Sequence, residues 1–221
     1  MSSFAEKNWG KLYHVVAYSL NFVQMCYGYD SDSSKDYYKS LCPHCEDYSI
    51  QFRDFEYPKG GFSKKDYYIL DTCDYGVSDR LKEDLLEFGV PEMDFRPIYT
   101  RNHDSILGWQ ITPHHILPST YQVNGMEKKC CCPICDLYKY EYKDEFSPLK
   151  YYDGIGNPDF INDEALNCLN KYSIALTEDK HSVYISSDLY EHLLKKYPRI
   201  ECRPVILGDI NHFIVNNKKH E

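Results

Sequence analysis

The sequence predicts an α+β protein made of two similar halves that share one structural zinc site. The first observation is a pair of C-P-x-C turns, Cys42-Pro43-His44-Cys45 and Cys132-Pro133-Ile134-Cys135. The second is that each turn is followed by a strand, a helix and a further strand that contains Arg-Pro. Because these features recur in one order, we expect an internal duplication, and two copies predict a pseudo-symmetric body, not a solenoid.

The cysteines that begin and end these turns are the predicted metal ligands. A C-x-x-C turn places two thiolates side by side, and two such turns supply the four sulfur ligands of a tetrahedral Zn2+ site. Because sulfur fills every position, we expect a structural and not a catalytic site. The predicted ligands are Cys42, Cys45, Cys132 and Cys135. Cys130 and Cys131 are rival ligands, although only Cys132 reproduces the spacing of the first turn.

The matched segments place the boundary between the halves near residue 125, giving an N-terminal half 1–125 and a C-terminal half 126–221. Residues 81–86 match residues 189–194 in character, and Arg96-Pro97-Ile98 matches Arg203-Pro204-Val205. A chain of 221 residues has room for one large domain or two small ones. A zinc ion shared between the turns would clamp the halves together, which predicts one compact unit.

The first half is expected to contain several strands and one helix. Leu81, Leu85 and Phe88 form one apolar stripe at helical spacing, and Gly89 is a typical helix stop. The predicted strands cover residues 11–18, 48–55, 67–70, 93–99 and 106–117, with an interruption at Pro113, and the helix covers residues 78–88.

The second half repeats this alternation after the second turn. Asp188 and Glu191 resemble a capping box at the start of a helix, and Pro198 lies just beyond its end. The predicted strands lie at residues 138–142, 183–185 and 200–207, and the helices at residues 162–172 and 188–196.

Charge and cysteine content narrow the class of protein. The formal net charge is −9, whereas nucleic-acid binders usually carry a basic face, so nucleic acid is a disfavoured partner. The first residues lack the apolar segment of a signal peptide, and no apolar run approaches ~18 residues, so no membrane partner is expected. A reducing cytoplasm is the expected compartment, in which paired thiols indicate metal ligands. The isolated cysteines are predicted to be core or edge residues: Cys26, Cys73, Cys168 and Cys202.

A histidine pair offers an enzymatic alternative. His114-His115-Ile116-Leu117-Pro118, with Asn124 and the second C-P-x-C turn, resembles the core of HNH nucleases over residues 110–136. That resemblance implies a metal-dependent nuclease in which His114 and His115 supply a general base and a metal ligand. The glycine-rich turn of that family is missing after Pro118. Two histidines at the end of an edge strand are the preferred interpretation.

A further set of motifs is spread over nearly the whole chain. They are Lys11-Leu12-Tyr13, the two C-P-x-C turns, residues 78–83 with Phe95-Arg96-Pro97-Ile98, residues 109–113, and residues 185–189 with Arg203-Pro204-Val205. Together they resemble the bacterial double-CXXCG motif proteins, which overlap in pattern with immunity proteins of polymorphic and contact-dependent toxin systems. Glu46 and Asp136 stand where that family has its glycines. The resemblance implies binding and blocking of a cognate toxin, with no catalytic residues.

The expected function is therefore that of an immunity or antitoxin-like protein that binds a cognate protein toxin stoichiometrically and is not an enzyme. An acidic protein can capture a basic toxin quickly, because complementary fields raise the association rate. The alternatives are an HNH-like nuclease that uses His114 and His115, and a zinc-ribbon adaptor that binds another protein or nucleic acid.

Overall fold

The fold is described from a computed structural model. Described are residues 15–21, 37–40, 42–44, 49–60, 62–70, 74–134, 138–143, 159–177 and 182–209. The architecture is mixed α and β, as the sequence predicts. Contacts group the chain into two compact units: the first unit comprises residues 1–21, 115–131 and 138–221, and the second unit residues 22–114 and 132–137.

The elements within the described residues are as follows. The strands are β1 (Val15–Leu20), β2 (Tyr38–Ser40), β3 (Ser49–Gln51), β4 (Glu56–Tyr57), β5 (Tyr67–Ile69), β6 (Tyr75–Val77), β7 (Phe95–Thr100), β8 (Ile106–Ile111), β9 (Met126–Cys131), β10 (Tyr138–Tyr142), β11 (Asp159–Ile161), β12 (Ile174–Leu176), β13 (Val183–Ser186) and β14 (Cys202–Leu207). The helices are α1 (Asp79–Phe88), α2 (Asp163–Tyr172) and α3 (Ser187–Lys196).

The first unit contains a five-stranded sheet, sheet I, with strand order β11-β14-β1-β13-β12. The β11–β14 pair is parallel and the other three pairs are antiparallel. Ala17 of β1 packs in a buried cluster with Ala165 and Leu169 of α2, whereas the ring of Tyr18 stacks on Tyr190 of α3 with centroids 3.6 Å apart. Because successive residues of a strand point to opposite faces, α2 and α3 cover opposite faces of sheet I.

The second unit contains sheet II, with strand order β4-β7-β8-β6-β5. Its pairings are again one parallel pair, β4–β7, followed by three antiparallel pairs. α1 buries Leu81 and Leu85, and Lys82 Nζ lies 3.3 Å from the ring centroid of Trp109 in β8. One buried cluster of this unit contains three aromatic and two aliphatic side chains: Phe55, Tyr57, Tyr68, Leu70 and Ile98.

The helix ends test the sequence signals directly. α1 begins after Ser78, whose side chain accepts a hydrogen bond from the Leu81 N–H, and it ends at Gly89, which has φ 109°. The predicted helix and its glycine stop are therefore confirmed. The capping box at Asp188 is wrong, because α3 begins one residue earlier and Ser186 Oγ accepts from the Leu189 N–H. Ser186 has the extended backbone that an N-cap requires.

Several strands are shorter than predicted. The segment predicted to be a strand from residue 93 begins with a 3-10 turn, Glu92–Asp94, so β7 starts at Phe95. The strand predicted over residues 106–117 ends at Ile111, since the Thr112 N–H leaves the ladder and donates to the Asp94 carbonyl. Ile116 then forms a separate parallel bridge with Leu176 of β12.

Neither compact unit is one continuous stretch of the chain. β1 comes from the predicted N-terminal half, yet it pairs with β13 and β14, both from residues 126–221. The tip of the β9–β10 hairpin, residues 132–137, belongs to the second unit. Two antiparallel ladders hold β1 in the middle of sheet I, and their pairing outweighs its proximity in sequence to β2.

Candidate metal centre

Each C-P-x-C turn lies at the tip of an antiparallel hairpin. In the first hairpin β2 pairs with β3, and in the second β9 pairs with β10. The hydroxyl of Ser40 donates to the Cys42 carbonyl at 2.7 Å and accepts from the Cys42 N–H at 3.2 Å. These two bonds fix the entry to the first turn, so the local sequence holds the Cys42 backbone in place.

The first cysteine of each turn points inward. Cys42 is 0% exposed and Cys132 is 7% exposed. The middle residues of both turns are exposed instead: Pro43, His44, Pro133 and Ile134. Burial of a polar thiol beneath an exposed turn is the arrangement that a closed metal site requires.

The two buried thiols lie next to each other. The Sγ atoms of Cys42 and Cys132 are 3.6 Å apart, across 90 residues of sequence. This separation is too long for a disulfide bond, whose S–S length is about 2.05 Å. Two sulfurs bound to one tetrahedral Zn2+ at ~2.3 Å stand about 3.8 Å apart. The two thiols therefore fit one edge of a zinc tetrahedron.

The structure describes only two of the four predicted ligands. The other two, Cys45 and Cys135, fall outside the described residues. Among the described residues, no three His, Cys, Asp or Glu side chains form a group that could hold a metal ion. Cys130 and Cys131 belong to β9, where they pair with Lys139 and Tyr138. The described positions thus supply half of the predicted site, and the ligand set as a whole stays a prediction.

The two histidines contact different partners. In the second unit, the Asp94 carboxylate accepts a hydrogen bond from the His114 backbone N–H at 2.9 Å. The same carboxylate also pairs with His114 Nδ1. In the first unit, the His115 ring stacks on Tyr172 with centroids 3.4 Å apart. Asp94 is fully buried, and nothing in the sequence near His114 pointed to it. Each histidine thus has a packing or hydrogen-bonding partner of its own.

Asn124, the third residue of the nuclease resemblance, joins two chain segments. Its Nδ2 donates to the carbonyls of Thr120 and Phe160 at 2.8 Å, and its Oδ1 accepts from the Phe160 N–H at 2.9 Å. Both ends of the amide are therefore engaged with backbone groups. This arrangement is typical of a side chain that holds a loop against a strand.

The isolated cysteines are partly described. Cys168 in α2 and Cys202 in β14 are half-buried, and Cys168 packs against the core of the first unit. Burial raises the pKa of the Cys168 thiol, and the charge of Lys171 opposes this only in part. A thiol with a raised pKa is a weak nucleophile, as expected for a core residue. Cys26 and Cys73 lie outside the described residues.

A charged surface on α1 was not singled out from the sequence. Asp79, Glu83 and Glu87 recur at four-residue intervals and are all exposed, on the side opposite Leu81 and Leu85. We call these three residues the acidic face of α1. The i, i+4 spacing of the carboxylates was the signal that could have identified it.

Comparisons with known proteins add no family to this description. A scan against protein-family models and searches of the curated proteins and of the solved structures find no match for the chain. Among the described residues, no helix has the length and apolar character needed to cross a membrane.

Proposed function

We propose that this chain is a zinc-clamped immunity or antitoxin-like protein that neutralises a cognate protein toxin by stoichiometric binding and not by catalysis. It acts in a reducing cytoplasm, where its thiols stay available to the metal. The observation that supports toxin binding most is the acidic face of α1.

The acidic face suits a basic partner. Its three carboxylates lie on the exposed side of one rigid helix, in a protein with a formal net charge of −9. Complementary charge accelerates encounter with a basic surface and disfavours acidic competitors. α3 presents a mixed face in comparison, with Glu191, Lys195 and Lys196 exposed. α2 exposes Asp163 and Glu164 together with Lys171, and α1 also exposes Arg80, so what distinguishes α1 is the recurrence of exposed carboxylates at four-residue intervals.

The clamp is a structural Zn2+ held by Cys42, Cys45, Cys132 and Cys135. Support for it comes from the 3.6 Å separation of the buried Cys42 and Cys132 sulfurs. Bound zinc supplies folding free energy, because the unfolded chain has no preformed site. The ion joins two hairpin turns that are distant in sequence, and it thereby fixes the position of residues 132–137 in the second unit.

The two sheets are the copies of an internal repeat. In sheet II, Arg96 and Pro97 of β7 pair with Gln110 and Trp109 of β8. In sheet I, Arg203 and Pro204 of β14 pair with Ser19 and Tyr18 of β1. The Arg-Pro motif thus has the same register in both sheets, and β1 occupies the position that β8 has in sheet II. The matched N-caps Ser78 and Ser186 support the same alignment.

Capture from native cells followed by a growth assay tests the proposed function. The tagged chain should retain one polypeptide near one to one; that polypeptide should arrest growth when expressed alone, and co-expression of the chain should restore growth. Glu83→Lys should slow association about ten-fold. The matched control is Glu191→Lys at the equivalent position of α3, which makes the same charge change and should leave association unchanged. A captured protein without toxicity, or equal slowing by both variants, would contradict the proposal.

A further inference from the structure

Sheets I and II each have two edge strands, and the chain itself covers the edges whose neighbouring strand runs parallel. At the β11 edge, the Asn124 amide donates to the Phe160 carbonyl at 2.8 Å and accepts from the Phe160 N–H at 2.9 Å. At the β4 edge, the Tyr37 hydroxyl donates to the Glu56 carbonyl at 3.1 Å and accepts from the Glu56 N–H at 3.3 Å. A side chain thus occupies the outward donor and acceptor of each strand and protects the edge from pairing with another chain.

A backbone segment covers the β12 edge of sheet I, whose neighbour runs antiparallel. The Leu176 N–H donates to the His115 carbonyl at 2.9 Å, and the Leu117 N–H donates to the Leu176 carbonyl at 2.8 Å. Ile116 lies opposite Leu176 in a parallel bridge. Three residues of extended backbone are therefore enough to bond both outward groups of one edge residue.

The β5 edge of sheet II corresponds to the β12 edge, because its neighbour β6 also runs antiparallel. The backbones of β5 and β6 are bonded at residues 66 and 70, on either side of β5. Bonded and non-bonded pairs alternate along an antiparallel ladder, so Tyr68 is bonded to β6 and Ile69 is not. The N–H and carbonyl of Ile69 therefore point away from β6, as those of Leu176 point away from β13. Among the described residues, neither group of Ile69 has a hydrogen-bond partner.

The composition of β5 favours the addition of a strand. Its residues, Tyr67–Ile69, include no charge and no proline, which are the features that usually prevent pairing at an edge. Tyr68 is fully buried and its hydroxyl donates to the Val77 carbonyl at 3.0 Å, so the strand is held in place before a partner binds. Ile69 is only partly buried, and an added strand would cover its side chain as well as bond its backbone.

We propose that the outer edge of β5 is a docking site for an extended segment of a partner protein, which adds to sheet II as a parallel strand. One carbonyl of the segment accepts from the Ile69 N–H, and the N–H two residues later donates to the Ile69 carbonyl. The residue between them lies opposite Ile69 and is apolar, as Ile116 is opposite Leu176 in sheet I. This site does not depend on the proposed toxin binding, because it contains no residue of the acidic face of α1.

Amide hydrogen exchange of the free full chain, followed by NMR, tests whether the edge is open. The Ile69 N–H should exchange at least about 100-fold faster than the Leu176 N–H, because the Leu176 N–H has an acceptor in the His115 carbonyl. Equal protection of the two amides would overturn the proposal. It would show that β5 is already paired, either within the chain or with a second copy of it.

A selection of displayed random peptides on the full chain tests the occupant. The selected peptides should share a β-branched or aromatic residue at one position. N-methylation of the next residue should weaken binding about ten-fold, because it removes the donor to the Ile69 carbonyl. N-methylation of the shared residue itself should leave binding unchanged, since its N–H points away from β5 in a parallel strand. Equal effects of the two modifications would contradict a parallel strand at this edge.

A proline variant tests the same bond from the side of the chain. Ile69→Pro removes the outward N–H and leaves the bonds between β5 and β6 intact, so it should weaken peptide binding at least about ten-fold. The matched control Ile69→Ala keeps the N–H and should weaken binding less. Circular dichroism establishes that each variant is folded, and the N-methylated peptides test the unaltered chain if the proline variant is not. Unchanged binding by a folded Ile69→Pro variant would overturn the proposal.

Discussion

Sheets I and II have the same series of strand directions, but they place their bulky core residue on different strands. In sheet II, Tyr68 of β5 pairs with Gly76 of β6. In sheet I the equivalent pair is Ala175 of β12 with Tyr184 of β13. The large residue thus lies on the edge strand of sheet II and on the inner strand of sheet I, in pairs of the same register. The comparison shows that either strand of such a pair can carry the large side chain when its partner carries a small one.

The glycines of sheet II show why a small residue must accompany Tyr68. A Cβ atom on Gly76 would lie 2.0 Å from Tyr68 Cε2, and one on Gly108 would lie 2.1 Å from the Tyr68 hydroxyl. Tyr68 cannot move aside, since it is fully buried and its hydroxyl donates to the Val77 carbonyl at 3.0 Å. A tyrosine at this position of β5 therefore requires glycine at residue 76 of the adjacent β6 and at residue 108 of β8, the next strand of sheet II.

The covering of the two sheets also differs. In the first unit, α2 lies between β11 and β12 and packs Ala165 and Leu169 on sheet I. In the second unit, the described residues between β4 and β5 form turns and no helix. Tyr37, Tyr38 and Phe62 pack on the core of sheet II instead. In the second unit this part of the core is thus covered by aromatic side chains from a loop and a hairpin.

The largest expected effect concerns the C-P-x-C turns, one from each proposed copy. Cys42→Ser, Cys132→Ser and chelation should each lower the melting temperature by more than about 10 °C, because a structural zinc contributes on the order of 10 kcal/mol to folding. Thermal denaturation followed by circular dichroism measures this, with Cys168→Ser as the half-buried control. Unequal effects of the two turn variants would indicate separate sites or a redox role, and an unchanged melting curve on chelation would contradict the structural zinc.

The second prediction tests the tyrosine–glycine arrangement. Gly76→Ala should lower the free energy of unfolding by about 3 kcal/mol, because its methyl group overlaps the fixed Tyr68 ring. Tyr68→Ala should cost about 3–5 kcal/mol through the cavity it leaves. The double variant should cost less than the sum, since each change removes the conflict caused by the other. Urea denaturation measures these values, and Gly60→Ala, where no atom lies within 4 Å, is the neutral control. Additive effects would refute the coupling.

The third prediction compares the matched helix caps. Ser186→Ala should lower the free energy of unfolding by about 1 kcal/mol, because the Leu189 N–H loses its acceptor. Ser78→Ala should cost somewhat more, because the Ser78 hydroxyl also donates to Asp66 Oδ1 at 2.8 Å. The same urea experiment distinguishes the two values, and the conservative Asp substitution at either site should retain most of the stability. A negligible effect at both positions would show that neither serine acts as a cap.

The smallest expected effect concerns the charge of Glu56 in β4. In the proposed alignment of the two sheets, the uncharged Phe160 has the equivalent position in β11. Partial burial raises the pKa of Glu56, but its bonds to His103 and Arg53 outweigh this and lower the pKa in the folded protein, so its contribution to stability is complete above the unfolded pKa, near 4.3. It is lost as the pH falls through the lower folded pKa. Glu56→Gln should therefore reduce stability at about pH 6 and make little difference at about pH 3. Urea denaturation at both pH values measures this; equal effects at both would contradict the shift.

Local signals predicted the helices well. The apolar stripe of Leu81 and Leu85, with Ser78 before it and Gly89 after it, determined α1 to within one residue. At the start of α3 three adjacent residues, Ser186, Ser187 and Asp188, are all of types that cap helices well. Which of them is the N-cap depends on the backbone angles, and residue type does not determine these. The spacing of the turns indicated Cys42 and Cys132, and the structure places their sulfurs 3.6 Å apart.

Long-range pairing could not be predicted in the same way. The apolar run that became β1 indicated a strand, but nothing within it specifies β13 and β14 as its neighbours. Such pairings depend on the whole set of available edges and on loop-closure entropy, not on local residue preference. The contact of His114 with the buried Asp94 could not be predicted from the sequence for the same reason, since the two residues lie in different parts of the chain.

The central position of β1 has a consequence for synthesis on the ribosome. β1 emerges before every other element, but β13, the first of its two neighbours to be made, follows about 160 residues later, at translation rates of roughly 5–20 residues per second. Throughout that delay β1 is an apolar strand with no ladder to join, while all strands of sheet II have already emerged. The second unit can therefore fold first, whereas β1 can enter sheet I only after β13 has been made.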